Sequence, residues 1–390
     1  MPDPLGPLRS LRAFRRASRR AGAAALERVV RRAAAGAPTL PKPPEDPRSI
    51  FVLRNNDLGD LLVVTPLFEA LRTRFPAARI AAGVGDWSRD VLRHNPHVDE
   101  VLPVNAPWFN KYAAKGGPIS RWSYLRRSPE VHALARHRFE VGVDVLGSAW
   151  GSLLLLRAGI PWRLGVRGYA GGDSGVQAAV DFDPNQQVGR SALRFAEILG
   201  ATALPPVRPQ IFLTREESEE GERWWAEAEP EGRRPRLILG PGAGLVDKRW
   251  PLESFAALAR GLAERPDLSL LVLAGPGEED LVRALRPLHP GARAFAKPPG
   301  LRPTFALVAA CDLVVCNSSL LLHVAAAFGR PALTLLGPAF DSARQHQAQW
   351  GYPGLSRTLG REAGERDQIC SPEEALAAVR EELSRRRAPF

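Results

Sequence analysis

From residue 49 onward the chain alternates short apolar runs with amphipathic stretches, and the alternation restarts after residue 213. Parallel strands need a crossover long enough to hold a helix, so such a pattern builds parallel βα units. In the first half the pattern predicts strands over 49–53, 79–84, 100–104 and 140–145. Helices are predicted over 61–75, 87–95 and 121–138. Pro205, Pro206 and Pro209 punctuate the middle. The second half then predicts helices over 215–227, 252–264, 278–288, 303–310 and 320–328, with strands over 236–240, 268–274, 312–316 and 332–336. Two similar α/β halves facing a cleft are expected, with ligands beyond the carboxyl ends of the strands. The expected division is an arm and linker (1–48), a first α/β domain (49–205), a second (206–370) and a C-terminal helix (371–390).

Composition narrows the class. With 45% hydrophobic and 24% charged residues, the chain is unlike collagen-like, disulfide-rich or wholly disordered proteins. No apolar run reaches the ~18 residues of a membrane span. Cys311, Cys316 and Cys370 lack zinc-site spacing, and a cytoplasmic location is expected. The net charge of +11 is concentrated in residues 1–48, which hold eleven Lys or Arg and four Asp or Glu. The remaining body is nearly balanced and offers little basic excess for a nucleic-acid face, so no nucleic-acid partner is expected. In the arm, Leu5, Leu8, Leu11, Phe14, Ala17, Ala21, Ala25 and Val29 recur at helical steps among arginines. Two readings stand: a helix over 5–33 lying on an anionic membrane surface, or an arm that is partly disordered or docked on the body. Four prolines between Thr39 and Pro47 then make a stiff linker.

Four post-strand loops could carry chemistry. In Arg54-Asn-Asn-Asp-Leu-Gly-Asp60, Asp60 is either a base facing the cleft or a first-turn acid favoured by the helix dipole. In Gly240-Pro241-Gly242-Ala243-Gly244, followed by Lys248 and Arg249, backbone N–H groups and positive charge suit a diphosphate; a plain turn is the alternative. Asn317-Ser318-Ser319 ends a strand and could cap a helix or hold an anion, and His323 follows as an orienting or a core histidine. Glu278 and Glu279 could hold ribose hydroxyls or simply begin a helix. A further stretch, free of acids between Glu100 and Glu130, carries Lys111, Lys115, Arg121 and Trp122 among other aromatics. The stretch is either a basic, aromatic surface for an anionic, partly apolar partner or a solvated basic loop.

Together these loops resemble glycosyltransferase family 9, the ADP-heptose:lipopolysaccharide heptosyltransferases and their relatives. The likeness rests on Gly59-Asp60…Thr65-Pro66, Asp144…Gly147-Ser148, Arg163…Gly165, Pro241-Gly242-Ala243…Lys248-Arg249-Trp250-Pro251 and Asn317-Ser318-Ser319…His323…Gly329…Pro331. The acid and glycine of the family's N-D-T-G are here Ser318 and Leu320. The resemblance implies a GT-B fold with two Rossmann-like domains. It implies inverting, metal-independent transfer of a heptose-like sugar from a nucleotide donor, ADP-linked by resemblance, to a lipopolysaccharide-core or other cell-surface glycan. No cofactor is implied, and the enzyme would work in the cytoplasm, peripherally at the inner face of the membrane. Asp60 would be the base. Lys248 and the Gly240–Gly244 backbone would stabilise the leaving diphosphate, supported by Ser318 and Ser319. Glu278 or Glu279 would hold the ribose, and His323 would orient its loop. The stretch with Lys111, Lys115, Arg121 and Trp122 falls in the half where GT-B enzymes bind the acceptor, and would suit a phosphorylated or carboxylated glycolipid. The alternative is a catalytically silent GT-B protein that binds a nucleotide or glycan as an assembly partner; a GT-B epimerase is a third possibility.

Overall fold

The protein is described by a computed structural model covering residues 22–113, 116–229, 231–288, 292–293 and 300–385. Its frame is two six-stranded sheets. The first contains β1 (Ser49–Leu53), β2 (Arg79–Val84), β3 (Glu100–Pro103), β4 (Val141–Asp144), β5 (Trp162–Arg167) and β6 (Ala178–Asp181), in the order β3-β2-β1-β4-β5-β6. The second contains β7 (Arg236–Gly240), β8 (Ser269–Val272), β9 (Ala292–Arg293), β10 (Leu313–Cys316), β11 (Ala332–Leu335) and β12 (Ser356–Leu359), in the order β12-β11-β10-β7-β8-β9. Read from its other edge, the second sheet repeats the order of the first. Every strand pair is parallel, so the central strands are covered on both faces. All five residues of β1 and of β7 are buried accordingly. This is the doubly wound arrangement twice over. The strand order reverses between β1 and β4 and again between β7 and β10, which are the positions where such sheets bind ligands.

The helices are α1 (22–35), α2 (Leu58–Leu62), α3 (Pro66–Arg74), α4 (Pro118–Arg127), α5 (Pro129–Arg136), α6 (Ala149–Arg157), α7 (Val188–Ile198), α8 (Arg215–Ala228), α9 (Leu252–Leu262), α10 (Glu279–Leu285), α11 (Leu301–Ala309), α12 (Leu320–Ala327), α13 (Ala343–Trp350) and α14 (Pro372–Arg385). Two stretches expected to be single helices are broken, both by proline. Pro66 starts α3 because its missing N–H and fixed φ suit a first turn but cannot continue α2. The span 121–138 divides at Ser128-Pro129. Ser128 is extended before the proline, and its hydroxyl accepts the Glu130 N–H as the cap of α5.

The arm corrects one expectation. Its described part, α1, lies on the first domain with Val30 fully buried and Leu26, Ala33 and Ala34 half-buried beside it. The buried stripe is one residue out of phase with the alanine stripe read from sequence, and Ala25 and Val29 are exposed. The larger side chains Leu26 and Val30 remove more apolar area from water and set the rotation. The Glu27 carboxylate fixes the docking by accepting the N–H groups of Gly172 (2.7 Å) and Ser174 (3.2 Å). The apolar face of α1 is therefore unavailable to a membrane. The rest of the proposed membrane segment lies outside the described residues. No helix among the described residues is long and apolar enough to cross a membrane.

Candidate active site

Three loops that follow the switch-point strands meet between the domains. The first, after β1, enters α2 through Asp57 and Asp60. Asp60 is a first-turn acid, and Arg54 holds its carboxylate. The buried guanidinium donates to Asp60 Oδ1 (3.3 Å) and to the Asp60 carbonyl (3.0 Å). The carboxylate is about one-third exposed, at the floor of the cleft. Behind Arg54 lies Asp144 at the end of β4, fully buried, its carboxylate accepting the Ser148 N–H (2.8 Å). Burial pushes the Asp144 carboxyl up to about 6, against the pull of the Ser148, Gly147 and Leu146 amides and of Arg54.

The second loop, after β7, runs from Gly240 to Lys248. Its shape is held from inside. Glu278 accepts the N–H groups of Ala243 (3.1 Å) and Gly275 (2.9 Å), and a guanidinium N–H of Arg249 (2.8 Å). A Cβ on Gly242 would lie 1.9 Å from the Glu278 carboxylate, so this close approach requires glycine. The third loop, after β10, is tied to the second. Asn317 donates to the carbonyl of Pro241 (2.7 Å) and accepts the N–H of Trp250 (2.8 Å). Lys248 stands between these loops with its ammonium 5.9 Å from the centroid of the Phe340 ring. Among the described residues no carboxylate pairs with it.

The two walls touch where α2 meets α12. A Cβ on Gly59 would come within 3.1 Å of His323 Cδ2 and 3.9 Å of Leu320 Cα. His323 is buried with Nδ1 2.7 Å from the Tyr352 hydroxyl. Beside it, His346 is sandwiched between two hydroxyls, Nε2 to Ser318 Oγ (2.8 Å) and Nδ1 to Thr358 Oγ1 (3.2 Å). Burial pushes His323 down to about 4 against the opposing Asp60 charge. Burial pushes His346 down to about 3, with His323 and Lys248 adding to it. Both rings are neutral in the fold, whereas an unfolded histidine gains its proton near 6.5. The unfolded chain thus binds more protons below that point, and stability is lost as the pH falls from about 6.5 towards 4 and 3. His346→Asn is expected to flatten that acid limb in urea titrations across the range. A limb of unchanged slope would show that His346 does not drive it.

Residues 130–345 match the model of glycosyltransferase family 9 (heptosyltransferase), which is more than half of the chain. The chain belongs to glycosyltransferase family 9. Among curated relatives, lipopolysaccharide heptosyltransferase 2 of Escherichia coli (strain K12) is 27% identical over 315 residues, covering 77% of this chain and 86% of the relative. Lipooligosaccharide heptosyltransferase 2 of Haemophilus influenzae is 24% identical, covering 74% and 83%. The solved structure of E. coli ADP-heptose lps heptosyltransferase II aligns with a TM-score of 0.66 at 23% identity, over 87% of this chain and 100% of that one. A family 9 glycosyltransferase from Veillonella parvula aligns with a TM-score of 0.69 at 19% identity, over 87% and 98%. The fold is therefore that of the GT-B heptosyltransferases, and the protein is a glycosyltransferase.

This family 9 chain brings Asp60, Gly240–Gly244, Lys248, Ser318, Ser319 and His323 to one cleft. Other sequence candidates are placed differently. Glu278 is engaged by Arg249 and two amides, so its carboxylate shapes the loop. Glu279 lies beside it in the first turn of α10, exposed, and accepts the Gly277 N–H (3.1 Å). Trp122 packs edge-on against Trp150 (5.2 Å), and the Arg121 guanidinium lies over the same ring (5.7 Å). These two belong to an aromatic cluster with buried Trp108 and so line the body. Lys115 lies outside the described residues. The ammonium of Lys111 reaches the glycine loop of the opposite domain. Sequence reading missed Asp57, His346 and Tyr352. Asp57 could have been noticed as the second acid of Asp-Leu-Gly-Asp, but His346 and Tyr352 sit in segments without motif or periodic signal.

Proposed function

We propose that this protein is an inverting, metal-independent glycosyltransferase that moves a heptose-like sugar from an ADP-linked donor to a hydroxyl of a lipopolysaccharide-core or related cell-surface glycan. The observation that carries the reading is the opposition of Asp60, on the first wall of the cleft, to Lys248 and the Gly240–Gly244 loop on the second. An acceptor hydroxyl lying between them gives its proton to the Asp60 carboxylate as its oxygen bonds to the sugar's anomeric carbon. The bond from that carbon to the diphosphate oxygen breaks on the far side, which inverts the centre. Negative charge grows on the departing nucleoside diphosphate, and Lys248 is the cation beside it. Arg54 positions Asp60, and Asn317 and Glu278 hold the loop in shape. Among the described residues no group of His, Cys, Asp and Glu has the form of a metal site, and the site's own ammonium supplies positive charge. The donor and acceptor classes are taken from the heptosyltransferase relatives. Such an acceptor would put the enzyme's work in the cytoplasm at the inner face of the membrane.

The test is release of nucleoside diphosphate from ADP-heptose with and without a core glycolipid. Acceptor-dependent release supports the reading. Binding of nucleotide without release under any acceptor supports the silent assembly protein, and release or isomerisation without acceptor supports an epimerase. Within the same experiment Lys248→Ala is expected to weaken ADP binding by roughly 1.5–3 kcal/mol, since it removes a charge-assisted contact. Calorimetry showing wild-type affinity would remove Lys248 from the donor site.

A further inference from the structure

Residues 105–113 leave the first sheet after β3 and fold back over the start of α2. Two bonds pin them there. Asn56 Nδ2 donates to the Phe109 carbonyl (2.8 Å), and the Lys111 N–H donates to Asp57 Oδ1 (3.2 Å). The ring of Tyr112 stacks on Trp87 (5.2 Å), whose indole N–H donates to the Asn56 carbonyl (2.9 Å). The loop is therefore fixed to the same turn that presents Asp60. From it the Lys111 side chain crosses the cleft, and a Cβ placed on Gly244 would lie 3.2 Å from its ammonium. Among the described residues no carboxylate lies within ion-pair distance of that ammonium. The charges of Lys111 and Lys248, one from each wall, both favour the ionised carboxylate of the half-buried Asp57, against its burial.

On the reading given above for this cleft, we propose that Lys111 supplies a second positive charge to the diphosphate of the donor, reaching it from the acceptor wall. A nucleoside diphosphate carries more negative charge than one ammonium balances, and opposed cations hold a group whose charge rises as its bond breaks. The placement has a consequence for order in the reaction. Lys111 rides on the turn that carries the base, so the donor's phosphates and the acceptor's base are set by one rigid piece of the first domain.

The loop is fastened by the Lys111 backbone N–H and by the stacking of Tyr112 on Trp87, and the Lys111 ammonium adds a contact with the Tyr112 ring, 5.3 Å from its centroid. Lys111→Met should therefore fold with a melting temperature close to that of the wild type. Calorimetry on the full chain with ADP is expected to show affinity lowered about tenfold to a hundredfold, with adenosine affinity unchanged. Lys111→Arg is expected to recover most of the loss, because the positive charge is kept. Lys111→Met binding ADP as tightly as the wild type would overturn the proposal alone. So would a raised acceptor KM with ADP affinity intact, which would assign Lys111 to the acceptor. If the wild-type chain binds none of ADP, GDP or UDP, the underlying reading of the cleft fails, and this proposal fails with it.

Discussion

Asp60→Asn is expected to lower turnover by about a hundredfold to ten-thousandfold, the range for removing a positioned general base, with ADP affinity unchanged. The side chain's size is kept, and Asn Oδ1 can still accept from Arg54, which holds Asp60 at 3.3 Å. What is lost is the ability to take the acceptor's proton. The donor's diphosphate is assigned to Lys248, the glycine loop and Lys111, whereas the Asp60 carboxylate is bonded to Arg54, so ADP binding should not register the change. Stability should fall by no more than about 1–2 kcal/mol, the scale of one weakened hydrogen bond to a charged group, because Asp144 still stands behind the buried Arg54. The competing account makes Asp60 only a first-turn acid, worth up to about 1 kcal/mol to the helix. One mutant separates the two: near-wild-type transfer with a small loss in melting temperature would end the claim that Asp60 is the base.

The largest stability effect is expected at the hinge. Arg302, from α11 of the second domain, is buried and bonded to three separate parts of the chain. Its guanidinium pairs with both carboxylate oxygens of Glu217 on α8 and donates to the Phe212 carbonyl in the segment that joins α7 to α8 (2.5 Å). A further N–H donates to the Asp90 carbonyl of the first domain (3.3 Å). Arg302→Met leaves a mostly buried carboxylate and two carbonyls without their donor, and breaking such a pair from one side costs about 3–5 kcal/mol. The Arg302 hydrogen bonds hold the Glu217 carboxyl at about 2, below its ordinary value. The pair's contribution is therefore complete above about pH 4.5 and lost as the pH falls towards 2. Urea midpoints should drop sharply for Arg302→Met near neutrality, and the difference from wild type should shrink through that acid window. A midpoint within error of wild type at neutral pH would show that the latch does not hold the domains.

Periodicity and proline chemistry explain how much of the frame could be read in advance. β1, β2 and β7 fall on the expected residues because a strand covered on both faces must be apolar throughout, and such runs stand out. β5, β6 and β12 were not anticipated. β5 is six residues long, but Arg163, Gly165 and Arg167 interrupt its apolar pattern; β6 and β12 are four-residue strands at sheet edges, mostly half-exposed or exposed, so no continuous apolar run marks any of them. The turn from β1 into α2 and the glycine loop after β7 were legible because they need particular residues. Gly242 must lack a side chain beside Glu278, and Gly59 faces His323 across the domain contact.

The sequence by itself determined the two parallel α/β halves, the ligand-facing ends of their sheets and the loops that carry Asp60, Lys248 and Asn317. Those follow from local patterns, in which a residue's neighbours in the chain are its neighbours in space. Only the tertiary structure decided which groups face the site. Glu278 turns inward because Arg249 and two amides outbid solvent for its carboxylate. His346 enters from a segment 28 residues beyond Ser318. Lys111 reaches the loop of the other domain, and α1 turns Leu26 and Val30 onto the body. Each of these depends on contacts between segments far apart in the chain, and no local pattern encodes them.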